Sequence, residues 1–106
     1  MFVAIYRWRL HSGLEQDFID NWQRITLLGL AAGSGGSSLF KDAERCWVAI
    51  GRWTSRDARD RLFEQLHREG ADQTMQERAR SAIAESFPAQ ELIQVIDAWA
   101  PIAARA

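Results

Sequence analysis

The sequence predicts an α+β domain of the ferredoxin-like kind, βαββαβ in chain order, with one antiparallel sheet and two helices on one of its faces. Three observations carry this expectation. "FVAIYRWRL", from Phe2 to Leu10, alternates side chains as a strand does. Ser12 with Glu15 and Thr54 with Asp57 each match a capping box, the signature of a helix start. Between and after these signals the apolar spacing switches from a period of two to one near 3.6.

Taken in order, the first strand ends in a turn at Gly13, and a helix begins there with a predicted buried stripe of Leu14, Phe18, Trp22, Ile25 and Leu28. "GSGGSS", Gly33 to Ser38, ends that helix by supplying backbone with φ > 0 and leads into a short strand, "SSLFK". The turn "DAER" precedes a third strand, Cys46 to Trp53. Thr54 opens a second helix burying Ala58, Leu62 and Leu66; Gly70 interrupts it, and Asp72 or Thr74 caps a continuation that buries Met75, Ala79, Ala82 and Ile83. Phe87 and Pro88 close that helix. The last strand is expected from about Glu91 to Trp99, stopped by Pro101.

A chain of 106 residues forms a single domain, residues 1–106, around one core. Its 47% hydrophobic and 25% charged content is that of an ordinary globular protein, and no apolar run approaches the roughly 20 residues of a membrane span. A net charge of −1 leaves no electrostatic footprint for nucleic acid or an anionic membrane. In "RWTSRDARDR" the acids Asp57 and Asp60 interleave with Arg52, Arg56, Arg59 and Arg61, the pattern of a solvated helix face. The one cysteine, Cys46, has no internal partner and reads as a buried small hydrophobe. With no signal segment ahead of the first strand, a cytoplasmic location is expected.

Neither face of the predicted sheet is plainly meant for water. Phe2, Ala4, Tyr6, Trp8 and Leu10 share one side of the first strand, with Val3, Ile5, Arg7 and Arg9 on the other. The third strand sets Trp47, Ala49, Gly51 and Trp53 against Cys46, Val48, Ile50 and Arg52. Two helices cover one face only, so the other implies a partner, most economically a second copy about a two-fold axis. Arg7, Arg9 and Arg52 would then lie at the rim or pair with acids such as Asp97 or Glu91. Spacing leaves open which face meets the helices, and whether the two aromatic rows lie on the same side.

These segments resemble the antibiotic biosynthesis monooxygenase family. The residues that carry the resemblance are Gly13 in the first turn, Phe18 with Trp22 on the first helix, Gly36 with Ser37 before the second strand, and Trp53-Thr54-Ser55-Arg56-Asp57-Ala58 stepping into the second helix. The resemblance implies a homodimeric α/β barrel. It also implies an enzyme that oxidises a small phenolic, quinol or polyketide-like aromatic with molecular oxygen and without a cofactor or metal. Such chemistry needs an electron-rich hydroxyl oriented or deprotonated inside a dry apolar pocket. Tyr6, His67 and Arg7 are the candidate catalytic groups, with Trp8, Trp22, Trp53 and Phe63 as candidate substrate contacts. The plainer alternatives are a satisfied buried phenol for Tyr6, core packing for Trp22 and Trp53, and a helix-terminal histidine for His67.

Another branch of the same fold cleaves haem with an Asn on the first strand and a Trp and a His on the second helix. Counting back from Gly13 puts Tyr6 at the Asn position, and Leu62 and Phe63 stand where the Trp belongs, with His67 the one histidine there, so haem binding or degradation is disfavoured. A ligand-binding or stress-related dimer without turnover is the alternative within the fold. "GSGGSS" follows a helix and lacks a Lys-Ser/Thr pair, so it is no phosphate loop. No Cys and His cluster suggests a metal.

Overall fold

A computed structural model describes residues 1–68 and 73–99. Strand β1 spans Phe2–Leu10, helix α1 Glu15–Ala31, β2 Ser37–Lys41, β3 Trp47–Trp53, α2 Arg56–Arg68, α3 Gln73–Ser81, β4 Ile83–Ser86 and β5 Gln90–Ile93. The sheet runs β2-β3-β1-β4 with β5 also on β1, and every pairing is antiparallel. This is the ferredoxin-like α+β arrangement, with the second helix and the last strand each divided in two. The sheet is open at both edges, so a barrel would need a second copy.

The last strand departs most from expectation. Ile83, placed by its spacing at the end of a helix, is the first residue of β4, which pairs with Trp8, Arg9 and Leu10. After it, the Phe87 N–H still donates to the Arg7 carbonyl at 3.0 Å. Pro88 has no N–H to give, and the ladder resumes only at Gln90, where β5 pairs with Phe2 to Ile5. Pro88 therefore interrupts a strand instead of ending a helix, and Gln94 to Trp99 lie beyond the strand. The expected break at Gly70, a cap at Asp72 and a stop at Pro101 lie outside the described residues. Thr74 falls inside α3 and does not cap it.

The first capping box acts through one partner only, and the second is replaced by a neighbouring hydroxyl. The Glu15 carboxylate accepts the Gly13 N–H at 2.8 Å, while Leu14, at the cap position of α1, makes no side-chain cap bond. At α2 the capping hydroxyl belongs to Ser55, which accepts the Ala58 N–H at 3.0 Å, one residue later than Thr54. On α1, Phe18 is buried and Trp22 and Ile25 half-buried, but Leu14 and Leu28 are exposed. Asn21 takes up buried space, its Nδ2–H donating to the Asp17 carbonyl at 2.7 Å. Gly33 and Gly36 adopt φ of 102° and 88°, the left-handed backbone expected of the glycine segment.

The register answers the question of faces. Phe2 pairs with Trp53, Ala4 with Gly51, Tyr6 with Ala49 and Trp8 with Trp47, so both aromatic rows share one side. That side meets all three helices. Phe2, Ala4 and Trp53 pack with Leu62 and Leu66 of α2, while Phe18 of α1 packs with Ala79 of α3 and with Ala82. The opposite side carries Val3, Ile5, Val48 and Ile50, none of them fully buried, beside exposed Phe40 and Leu92. Two of the three rim arginines are paired: Arg52 with Asp97 at 3.9 Å and Arg9 with Glu85 at 3.7 Å. Glu91 serves neither. It lies on the helix side opposite Ala4, paired with Arg56 and Arg59.

Candidate functional site

Alternation along β1 turns Tyr6 and Trp8 toward the helices, and the space between them and α1 and α2 is not filled. A cavity of about 260 Å³ remains. Ala49 of β3 forms part of its floor, where a larger side chain would close it; Trp22, Ile25, Thr26 and Gly29 of α1 line one wall, and Leu62, Phe63 and Leu66 of α2 another. Trp53, with the hydroxyl residues Ser34 and Ser37, completes the lining, and none of the lining residues is charged. Trp53 owes its position to Gly51: a Cβ there would stand 2.5 Å from the indole Cη2 and 2.8 Å from the Ser37 Oγ.

Two polar groups of this wall stand out. Trp53 is 5% exposed, and its Nε1–H has no hydrogen-bond partner among the described residues. A buried donor left unpaired costs about 1–3 kcal/mol, and this one is covered by protein and not open to the cavity. Tyr6 stacks on Trp8 with ring centroids 6.0 Å apart, and its Oη accepts the Arg59 Nη1–H at 3.2 Å. Burial pushes the phenol above its ordinary pKa, and the hydrogen bond and charge of Arg59 offset part of that rise. Tyr6 therefore keeps its proton at neutral pH.

Of the residues expected from sequence, Tyr6, Trp8, Trp22, Trp53 and Phe63 all line this one cavity. Arg7 and His67 do not. Arg7 sits on the opposite face of β1 by the same alternation that turns Tyr6 inward, and His67 lies exposed on α2 one position past inward-facing Leu66. The cation beside the cavity is instead Arg59, whose side chain is 13% exposed. Read as part of a solvated face, it in fact lies three residues before Leu62 and seven before Leu66, on the buried stripe of α2. That spacing was the available signal. Burial works against its charge, but hydrogen bonds to Tyr6, Asp60 and Glu91 outweigh this and raise its pKa.

No protein-family model matches the sequence, and no curated protein is significantly similar to it. Solved structures are similar in fold. A candidate antibiotic biosynthesis monooxygenase from Bordetella bronchiseptica superposes with a TM-score of 0.71 at 19% identity, over 90% of this chain and 97% of that one. SnoaB, a cofactor-independent oxygenase from Streptomyces nogalater, gives 0.72 at 15% identity, over 92% and 95%. This chain shares the fold of these antibiotic biosynthesis monooxygenase structures. A NIPSNAP domain protein from Burkholderia xenovorans has this fold as well, with a TM-score of 0.71 at 15% identity over 96% of this chain and 100% of that one. One fold thus houses proteins of different description, and the reaction has to be argued from the cavity.

Proposed function

We propose that the chain is a cofactor-independent monooxygenase that oxidises a small phenolic, quinol or polyketide-like aromatic in the cavity between its sheet and helices. The observation that carries this reading is an uncharged, aromatic-walled cavity lined by the Tyr6 phenol, which keeps its own proton to donate. Flat aromatic walls suit an aromatic guest. In a substrate whose methylene lies between aryl rings and is conjugated to a carbonyl, the C–H proton passes to solvent water, since no carboxylate or imidazole lines the cavity, and an enolate remains. A donor near its oxygen stabilises the charge as it develops. The enolate then gives electrons directly to O₂: one oxygen atom becomes the new carbonyl and the other leaves as water, a four-electron oxidation that needs no external reductant. The similarity to SnoaB supports the same kind of chemistry.

Oxygen uptake by metal-free protein against a panel of anthrones and hydroquinones tests the proposal. The expected result is saturable uptake above autoxidation, reduced on the order of tenfold or more in Tyr6→Phe and left at the wild-type level in His67→Ala. Uptake equal to buffer across the panel would sink the oxygenase reading. A cavity that binds aromatics without turnover would then be the reading that its lining supports.

The second part of the proposal is a homodimer through the open face of the sheet. Val3, Ile5, Val48, Ile50, Phe40 and Leu92 make that face apolar, and it is bordered by Arg7 and by the Arg52–Asp97 pair, so a second copy about a two-fold axis can cover it. Light scattering at micromolar concentration is expected to give twice the chain mass, and a monomer there would contradict it. Among the described residues no helix is long and apolar enough to cross a membrane. A reducing cytoplasm is the proposed setting for the buried free thiol of Cys46.

A further inference from the structure

Tyr6 is the one tyrosine of the chain, and Arg59 holds it from outside the cavity. That arginine is fixed on every side. Its Nη2–H donates to the Glu91 carboxylate at 2.8 Å and its Nε–H to Asp60 at 2.9 Å, while its guanidinium lies 5.0 Å from the centre of the Phe2 ring and 5.9 Å from that of Phe63. Helix α2 and strand β5 thus hold the group that holds Tyr6. A phenol oxygen that accepts an N–H still has its own proton to give. Among the described residues that hydroxyl donates no hydrogen bond, and the Glu91 Oε2 receives Arg59 and lies 3.4 Å from the Arg56 Nε instead.

We infer that Arg59 is a positioning residue: by occupying the acceptor side of the Tyr6 oxygen it turns the hydroxyl proton into the cavity, so that ligands are taken by an acceptor oxygen, an aryl ketone or its enolate. The inference rests on the cavity being the ligand site proposed above. The raised pKa of Tyr6 agrees with a donor and disagrees with a base. Asp60 and Glu91 add to that rise and Arg59 counters it, so removing Arg59 leaves the phenol facing two carboxylates and still harder to ionise.

The test uses α-tetralone and its hydrocarbon counterpart tetralin, with binding followed by tryptophan fluorescence, and the ionisation of the single tyrosine followed by NMR of ¹³Cζ-labelled tyrosine. Wild type is expected to bind both. Tyr6→Phe should weaken α-tetralone about fivefold, the worth of one net hydrogen bond, and leave tetralin unchanged. Arg59→Met should weaken α-tetralone in the same direction and move the Tyr6 titration to higher pH. Should that variant fail to fold, Arg59→Lys serves in its place: an ammonium lacks the planar fork with which the guanidinium meets Tyr6, Asp60 and Glu91 together, so the titration should again rise. Parallel weakening of both ligands in Tyr6→Phe, or an unmoved titration in the Arg59 variants, overturns the inference and leaves the cavity as the binding site. Failure of wild type to bind either ligand overturns the cavity reading itself.

Discussion

Replacing Phe18 by alanine is expected to remove about 3–5 kcal/mol from the free energy of unfolding. Phe18 is 2% exposed and is the largest fully buried side chain among the described residues. It meets Trp8 edge-on at 5.4 Å and Trp47 at 6.4 Å, and it packs against Ala79 and Ala82. Three elements therefore border the gap that its loss would leave, and two of its neighbours are alanines with no atoms to spare for filling it. A domain of this size is stable by about 5–15 kcal/mol in all, so the variant should lose a large share of its folded population. Urea denaturation checks this through a lower midpoint at unchanged slope. A loss under about 1 kcal/mol would mean that the aromatic cluster closes over the hole.

Gly51→Ala is expected to have the largest effect on the cavity. The added methyl group would sit 2.5 Å from the Trp53 Cη2 and 3.0 Å from its Cζ3, so the indole has to move. Phe2, Leu62, Leu66 and Phe63 surround that ring, and the free volume beside it is the cavity of about 260 Å³. Displacement into this space would consume the room for a guest, at a cost in stability of about 1–3 kcal/mol from overpacking. The expected outcome is a folded protein with altered tryptophan near-ultraviolet circular dichroism and at least a tenfold loss of affinity for α-tetralone, about 1.4 kcal/mol. Unchanged affinity would show that the indole yields in another direction.

Much of the site was legible because β1 alternates without a break. Once Tyr6 and Trp8 share a side, whichever layer covers that side forms a cavity wall. Which row of β3 faces them depends on a shift of one residue in pairing, which no pattern within either strand specifies, and the pairs Phe2 with Trp53 and Tyr6 with Ala49 settle it. Arg59 was hidden by its neighbours. Four arginines and two aspartates in ten residues look solvated, and only the distance to Leu62 and Leu66 separates Arg59, whose side chain is mostly covered, from the others. The misplaced end of the chain has a similar cause. Met75, Ala79, Ala82 and Ile83 fit a helical period, but the four residues from Ile83 gain more from the open edge of β1 than from another helical turn.

The division of the final strand at Pro88 also bears on how the molecule behaves in a crowded solution. A long flat strand at the rim of a sheet is a template on which other chains can polymerise. Here that rim offers β4 and β5, two stretches of four residues each, offset by a residue with no N–H to donate. The opposite rim, β2, is five residues long and ends in Lys41, whose ammonium stands 5.5 Å from the centre of the Trp47 ring and leaves a charge at the tip. Neither border gives a foreign strand more than a few consecutive hydrogen bonds. The chain can thus keep a sheet apolar on both faces while presenting edges that resist the growth of fibrils.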